Sequence, residues 1–184
     1  MCRSSRGVHS CGSSPAASTT FRKERRTCEA SAGVPTREGN TRSFSCHHVE
    51  RITPPEAIAT RLGLDPRADT CVVRRHVRYI DDKPAIISDD YFDERIVRGT
   101  ELAEPEDTTR ENILAEAGYE QVYDIDEIIT RMPGPAEIAK LAIPTGTPVA
   151  EHIRTGYTAS GKPVRVMISI IPGDTLVLEY TIPT

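Results

Sequence analysis

The side chains best suited to recognising a charged small molecule fall in two stretches. Arg74, His76 and Arg78 alternate along residues 71–80, and Arg165 stands in a second β-rich stretch near the C-terminus. A guanidinium gives a carboxylate or phosphate charge-assisted hydrogen bonds worth about 1.5–3 kcal/mol. Arg78 and Arg165 are therefore the first candidates for holding an anion, and His76, Ser88 and Tyr157 are neutral donors and acceptors near them. Nothing comparable points to catalysis. The chain has no Gly-x-Ser-x-Gly, no His-Glu-x-x-His, no phosphate-binding glycine loop and no Gly-x-Gly-x-x-Gly, which argues against an enzyme and against a nucleotide cofactor. Carboxylates are plentiful (Asp89, Asp90, Asp93, Glu94, Asp124, Asp126, Glu127) but occur in runs typical of a soluble surface.

These residues have to be positioned by strands. Alternation over 71–80 sets Cys71, Val73, Arg75, Val77 and Tyr79 on one face and Val72, Arg74, His76 and Arg78 on the other. A short polar turn at Asp81-Asp82-Lys83 before Pro84 predicts a hairpin in which Arg78 lies opposite Ile86 and His76 opposite Ser88. A second turn at Ser160-Gly161-Lys162 before Pro163 predicts another, with Tyr157 opposite Arg165 and Thr155 opposite Met167. Both hairpins would then present a mixed polar face to one pocket.

The hairpins belong to an internal repeat. Shifted by 79 positions, Leu62 falls on Leu141, Arg75 on Arg154, Lys83 on Lys162 and Pro84 on Pro163. Each copy opens on a proline-led helical stretch (Pro54-Pro55-Glu56-Ala57 and Pro135-Ala136-Glu137-Ile138), since proline suits a first turn whose N–H has no helical partner. Between the copies, Thr108 to Gly118 reads as a helix capped by Thr108 or Thr109, and Tyr119 to Arg131 as a long strand. Thr175 to Thr181 reads as a closing strand. The expected architecture is α+β, a mainly antiparallel sheet with flanking helices.

Composition divides the 184 residues at position 48. Residues 1–48 carry 8 Lys+Arg against 3 Asp+Glu, net +5, and residues 49–184 carry 15 against 24, net −9, which together give the chain's −4. The first part has no Leu, no Ile and four of the five cysteines. So few apolar side chains cannot offset roughly 1–2 kcal/mol per residue of backbone ordering, and residues 1–48 are expected to be a disordered basic arm ahead of a domain at 49–184. Met1 to Thr20 lacks the apolar run of an export signal, which suggests a cytoplasmic protein, and no stretch approaches the ~20 apolar residues of a membrane-spanning helix. The arm's cysteines form no Cys-x-x-Cys pair, and Cys46-His47-His48 places its side chains too close along the chain to converge on one ion. No metal is expected.

Read in order, Arg78-Tyr79-Ile80-Asp81-Asp82-Lys83-Pro84, Tyr91, Arg131-Met132-Pro133, Pro135-Ala136-Glu137, Gly146-Thr147-Pro148-Val149, Arg154, Tyr157, Gly161-Lys162-Pro163-Val164 and Pro172-Gly173-Asp174 resemble the UTRA domain. This is the effector-sensing half of GntR-type bacterial transcription regulators of the HutC subfamily. The resemblance runs from about Val49 to Pro183. It implies a chorismate-lyase-like fold, a homodimer, and a sheet pocket for a small, often anionic metabolite whose binding alters DNA binding by an attached winged helix-turn-helix. Members that bind phosphorylated sugars resemble one another in an Arg-x-Arg on the first hairpin strand, an acid on its partner and another after the second hairpin's proline. Here those positions read His76-Val77-Arg78, Ser88 and Arg165, so only Arg78 carries over. Thr109 matches a position where the family often has a ligand-contacting serine, at a helix N-terminus that attracts anions. The arm offers no Leu or Ile from which to build a winged helix-turn-helix, so DNA is expected to be contacted only through a domain absent from this chain. A detached sensor, a dimerisation module and a chorismate-lyase-like enzyme are the alternatives.

Overall fold

The structure is a computed structural model that describes residues 34–35, 41–105 and 112–175, and the side chains from residue 48 onward within those ranges. Its strands are β1 (Val34–Pro35), β2 (Thr41–Ile52), β3 (Cys71–Ile80), β4 (Lys83–Asp93), β5 (Tyr123–Arg131), β6 (Val149–Tyr157) and β7 (Pro163–Pro172). Its helices are α1 (Glu56–Leu62), α2 (Glu94–Val97), α3 (Ile113–Glu116) and α4 (Pro135–Leu141), with a 3₁₀ turn at Glu101–Ala103. All seven strands join one sheet in the order β1-β2-β3-β4-β7-β6-β5, and every neighbouring pair is antiparallel. The α+β architecture with a mainly antiparallel sheet is the one expected.

The repeat is visible as two helix-hairpin units, α1-β3-β4 and α4-β6-β7, joined side by side through β4 and β7. Both helices begin as their prolines require: Pro55 is the N-cap of α1 and Pro135 opens α4, where the Glu137 side chain accepts from the Gly134 N–H at 2.7 Å. Both end in a left-handed residue, Gly63 (φ 66°) and its counterpart Ala142 (φ 52°). The α1 side of the sheet is apolar, with Ile58, Ala59, Leu62 and Leu64 packed on Cys71, Val73, Tyr91, Ile153 and Val166. Leu141 of α4 extends this layer over Ile87, Val149 and Ile170. On the opposite side, the chain leaving β4 buries Ile96, Val97 and Ala103 against Val72 and Phe92.

Several local expectations need correction. The composition break at residue 48 falls inside β2, whose ladder to β3 starts at Arg42↔Ile80. β2 pairs through its backbone with β3 and, at Thr41 and Arg42, with β1, and a backbone ladder can form where apolar side chains are few. The first hairpin turns on two residues, with Ile80 paired to Lys83 and both Asp81 (φ 47°) and Asp82 (φ 61°) left-handed. A bulge between Arg78 and Tyr79 then restores the expected pairs Arg78↔Ile86 and His76↔Ser88. In the second hairpin Arg165 pairs with Gly156, and Thr155 with Val166, one residue away from expectation. The turn is the cause: Tyr157 pairs with Pro163 across residues 158–162, five where three were expected, and the bulge after it makes up only one of the two. The repeat is also uneven upstream. The link from helix to strand is residues 63–70 in the first copy and 142–148 in the second, one residue shorter, so a shift of 79 that suits the helices inverts the faces of β6 relative to β3. The central helix is described over Ile113–Glu116, its proposed threonine caps lie outside the described residues, and so does the closing strand beyond Thr175.

A left-handed conformation costs a residue with a Cβ roughly 1–2 kcal/mol that glycine does not pay. Ala142→Gly is therefore expected to raise stability by about 1 kcal/mol, read as a higher urea midpoint at unchanged slope.

Candidate functional site

The sheet face opposite α1 and α4 carries the polar residues. From β3 come Arg74, His76 and Arg78, from β4 Ser88 and Asp90, from β7 Arg165, Met167 and Ser169, from β6 His152 and Arg154, and from β5 Asp124 and Asp126. Many are inaccessible: Arg74, His76, Ser88, Asp90, His152 and Ser169 are all buried. Buried polar groups are costly unless partnered, and here the partners are mostly one another.

Asp90 ties the two hairpins together. Its Oδ1 accepts from Arg165 Nε at 2.8 Å, with Arg165 Nη2 at 2.6 Å, and its Oδ2 lies 3.8 Å from His76 Nδ1. Arg78 Nε donates to His76 Nε2 at 3.4 Å, and the other ring nitrogen, Nδ1, faces Asp90. Beside them the Ser88 and Ser169 hydroxyls share a hydrogen bond of 2.9 Å across the β4–β7 ladder. Arg74 has a different task. Its Nη1 donates to the carbonyls of Glu101, Leu102 and Glu104 at 3.2, 3.0 and 2.8 Å, pinning the 3₁₀ turn over the face. Burial of that guanidinium lowers its proton affinity.

A second group continues toward the sheet edge. Asp126 accepts from Arg154 Nε and Nη2 at 2.7 and 2.8 Å, and its Oδ1 is 3.1 Å from His152 Nε2. The hydrogen bonds from Arg154 hold the Asp126 carboxyl down at about 2.

Among the residues singled out beforehand, His76, Arg78, Ser88 and Arg165 share this face. Tyr157 does not stand beside Arg165. It pairs with Pro163 and stacks on Tyr123 with ring centroids 5.1 Å apart, because the one-residue slip turns it to the other side. Thr109 lies outside the described residues. Asp90, His152, Arg154, Asp126 and Ser169 escaped sequence reading. The usable signal for Asp90 was alternation, since Asp89 and Asp90 are adjacent in a strand and must face opposite ways.

The UTRA domain family matches residues 38–176. This chain belongs to the UTRA-domain family. It is 29% identical over 137 residues to an uncharacterized HTH-type transcriptional regulator of Streptomyces coelicolor, an alignment covering 72% of this chain and 51% of that protein. The chain thus spans about half the length of this curated relative. Among solved structures, the ligand-binding domain of a protein assigned to the GntR regulator family, from Bordetella bronchiseptica, superposes with a TM-score of 0.69 at 19% identity, covering 84% of this chain and 93% of that one. The effector domain of PhnF from Mycobacterium smegmatis gives 0.68 at 18% identity, covering 80% and 90%. These likenesses establish the fold of the UTRA domain seen here, and none of its helices is long and apolar enough to cross a membrane among the described residues.

Asp126 makes stability pH-dependent in a stated direction. Its carboxyl is depressed in the folded protein, so its contribution is complete above about pH 4 and is lost as pH falls toward 2. Asp126→Asn is expected to be less stable than the parent at pH 7, with the gap closing by about pH 2 in denaturation profiles.

Proposed function

We propose that this UTRA domain is the effector sensor of a GntR-type transcription regulator of the HutC subfamily, that it binds a small anionic metabolite on the polar sheet face, and that it is not an enzyme. Binding would be communicated to a DNA-binding domain of the kind named for the Streptomyces relative, in the cytoplasm. One observation carries the reading: six polar or charged side chains are buried on a sheet face that an ordinary core would fill with apolar groups. Arg78 and Arg165 are half-buried at this face and stand beside His76 and Ser88. Thr109 is assigned to the ligand by the family resemblance alone, and Tyr157, turned to the other side of the sheet, is no longer assigned to it.

Arg165 is already neutralised by Asp90, and Arg78 is the one position that matches the family's Arg-x-Arg pattern, so Arg78 is the arginine to test first. A panel of carboxylate and phosphate metabolites is expected to contain at least one that raises the melting temperature. Arg78→Ala should weaken that ligand roughly 10- to 150-fold, the loss of one charge-assisted hydrogen-bonding partner. An unchanged affinity in the variant rejects the assignment, and pyruvate released from chorismate would reveal an enzyme instead.

We further assign the homodimer contact to β5. Among the described residues it is an edge strand, and Tyr123, Ile125, Ile128, Ile129 and the adjoining Val122 and Met132 are each between 45% and 59% exposed. A long edge with apolar side chains on both faces is a template for pairing with a second copy. Ile129→Asp is expected to convert a dimer to a monomer in light scattering, with the fold retained by circular dichroism.

A further inference from the structure

The other side of the sheet holds a cleft that the polar face does not explain. It has a volume of about 270 Å³ and lies between α4 and strands β4 and β7. Ile87, Ile168, Ile170 and Ala136 line it together with Asp89, Lys140 and two arginines, and an adjoining hollow of about 520 Å³ shares Ile87, Asp89, Lys140 and Arg75. Pockets for drug-sized ligands run to about 300–1,000 Å³, so this one suits a smaller molecule.

Its charges are unevenly satisfied. Arg131 is committed to Glu137, at 2.7–2.8 Å, and to Glu151, a bracket that ties β5 and β6 to α4. Arg75 is shared between Glu50 at 2.5 Å and Asp89 at 3.4 Å. Lys140 makes no ion pair within 4 Å to any described residue. Asp89 stands partly buried at the cleft wall, where it receives the Tyr91 hydroxyl at 3.3 Å and has Arg75 and Lys140 as its nearby cations, and burial pushes its carboxyl above the ordinary aspartate value. A lysine without an ion pair among the described residues and a partly buried carboxylate therefore stand in one cleft, over a floor of isoleucines.

A simple anion would meet Asp89, and a simple amine would meet Lys140 and Arg75. A molecule with both charges and an alkyl group satisfies all three surfaces. We propose that the cleft beneath α4 is a second ligand site, taking a small aliphatic α-amino acid with its carboxylate on Lys140, its ammonium on Asp89 and its side chain on Ile87, Ile168 and Ile170. The site is separate from the polar face and does not depend on how that face is read.

The test is thermal melting and calorimetric titration of the whole chain with L-leucine, 4-methylpentanoate and isopentylamine, the last two each lacking one charge. At about ten times its dissociation constant, leucine is expected to raise the melting temperature by roughly 3–8 °C, and the two analogues far less. Lys140→Ala, at an exposed helix position, and the near-isosteric Asp89→Asn should each abolish the response, while Arg78→Ala should retain it. The proposal is overturned by the absence of any leucine response, by an equal response to 4-methylpentanoate, by full retention in Lys140→Ala, or by loss in Arg78→Ala.

Discussion

The β4–β7 ladder is the contact on which the molecule depends, because it is where two helix-hairpin units become one sheet. Its described register runs only from Ile87↔Ile170 to Tyr91↔Val166. The side chains on it are unlike on the two sides. Toward the helices it is closed by Ile87, Ile170, Tyr91 and Val166, which are buried apolar groups. Toward the other face it is closed by the Ser88–Ser169 hydroxyl pair and by Asp90 reaching Arg165. A buried ion pair contributes less to net stability than apolar packing of the same volume, whereas losing one partner costs about 3–5 kcal/mol. The junction is thus held chiefly by its apolar side, while its polar side makes the loss of either partner costly.

That division accounts for the different fates of neighbouring residues. Asp89 and Asp90 are adjacent, but Asp89 enters the cleft under α4 and Asp90 joins the two hairpins. Arg74 and Arg75 are adjacent too, and one pins a loop through three carbonyls while the other bridges Glu50 and Asp89. Strand alternation converts a charged run into two unrelated chemical settings. Reading such runs as a solvated surface misses this, because hydropathy averages over both faces.

The first hairpin was legible in detail. Val-rich alternation and a short acidic turn were enough to place His76 against Ser88 and Arg78 against Ile86, and a bulge compensated for a turn one residue shorter than supposed. The proline-led helices were equally plain. The second hairpin was legible as a hairpin only. Its pairing depends on a longer turn containing Gly161 at φ 78° and on the bulge beside it, and nothing in the local pattern of Thr155, Gly156 and Tyr157 distinguishes the two registers. His152, Arg154 and Asp126 were hidden by the same slip, since their role appears only once β5 and β6 are paired correctly. The strand across residue 48 was hidden for another reason: its ladder is made by backbone groups, which composition does not report.

The shorter link in the second copy also bears on symmetry. Two identical halves meeting at an antiparallel ladder would offer a bound molecule two equivalent orientations, related by a half-turn about the ladder. Removing one residue ahead of β6 sets Arg154 where the first copy has His76, and His152 where it has Arg74. The degeneracy is lifted. The polar face thus presents one chemistry at one end of the junction and another at the other, and a molecule lying across it would meet unlike ends.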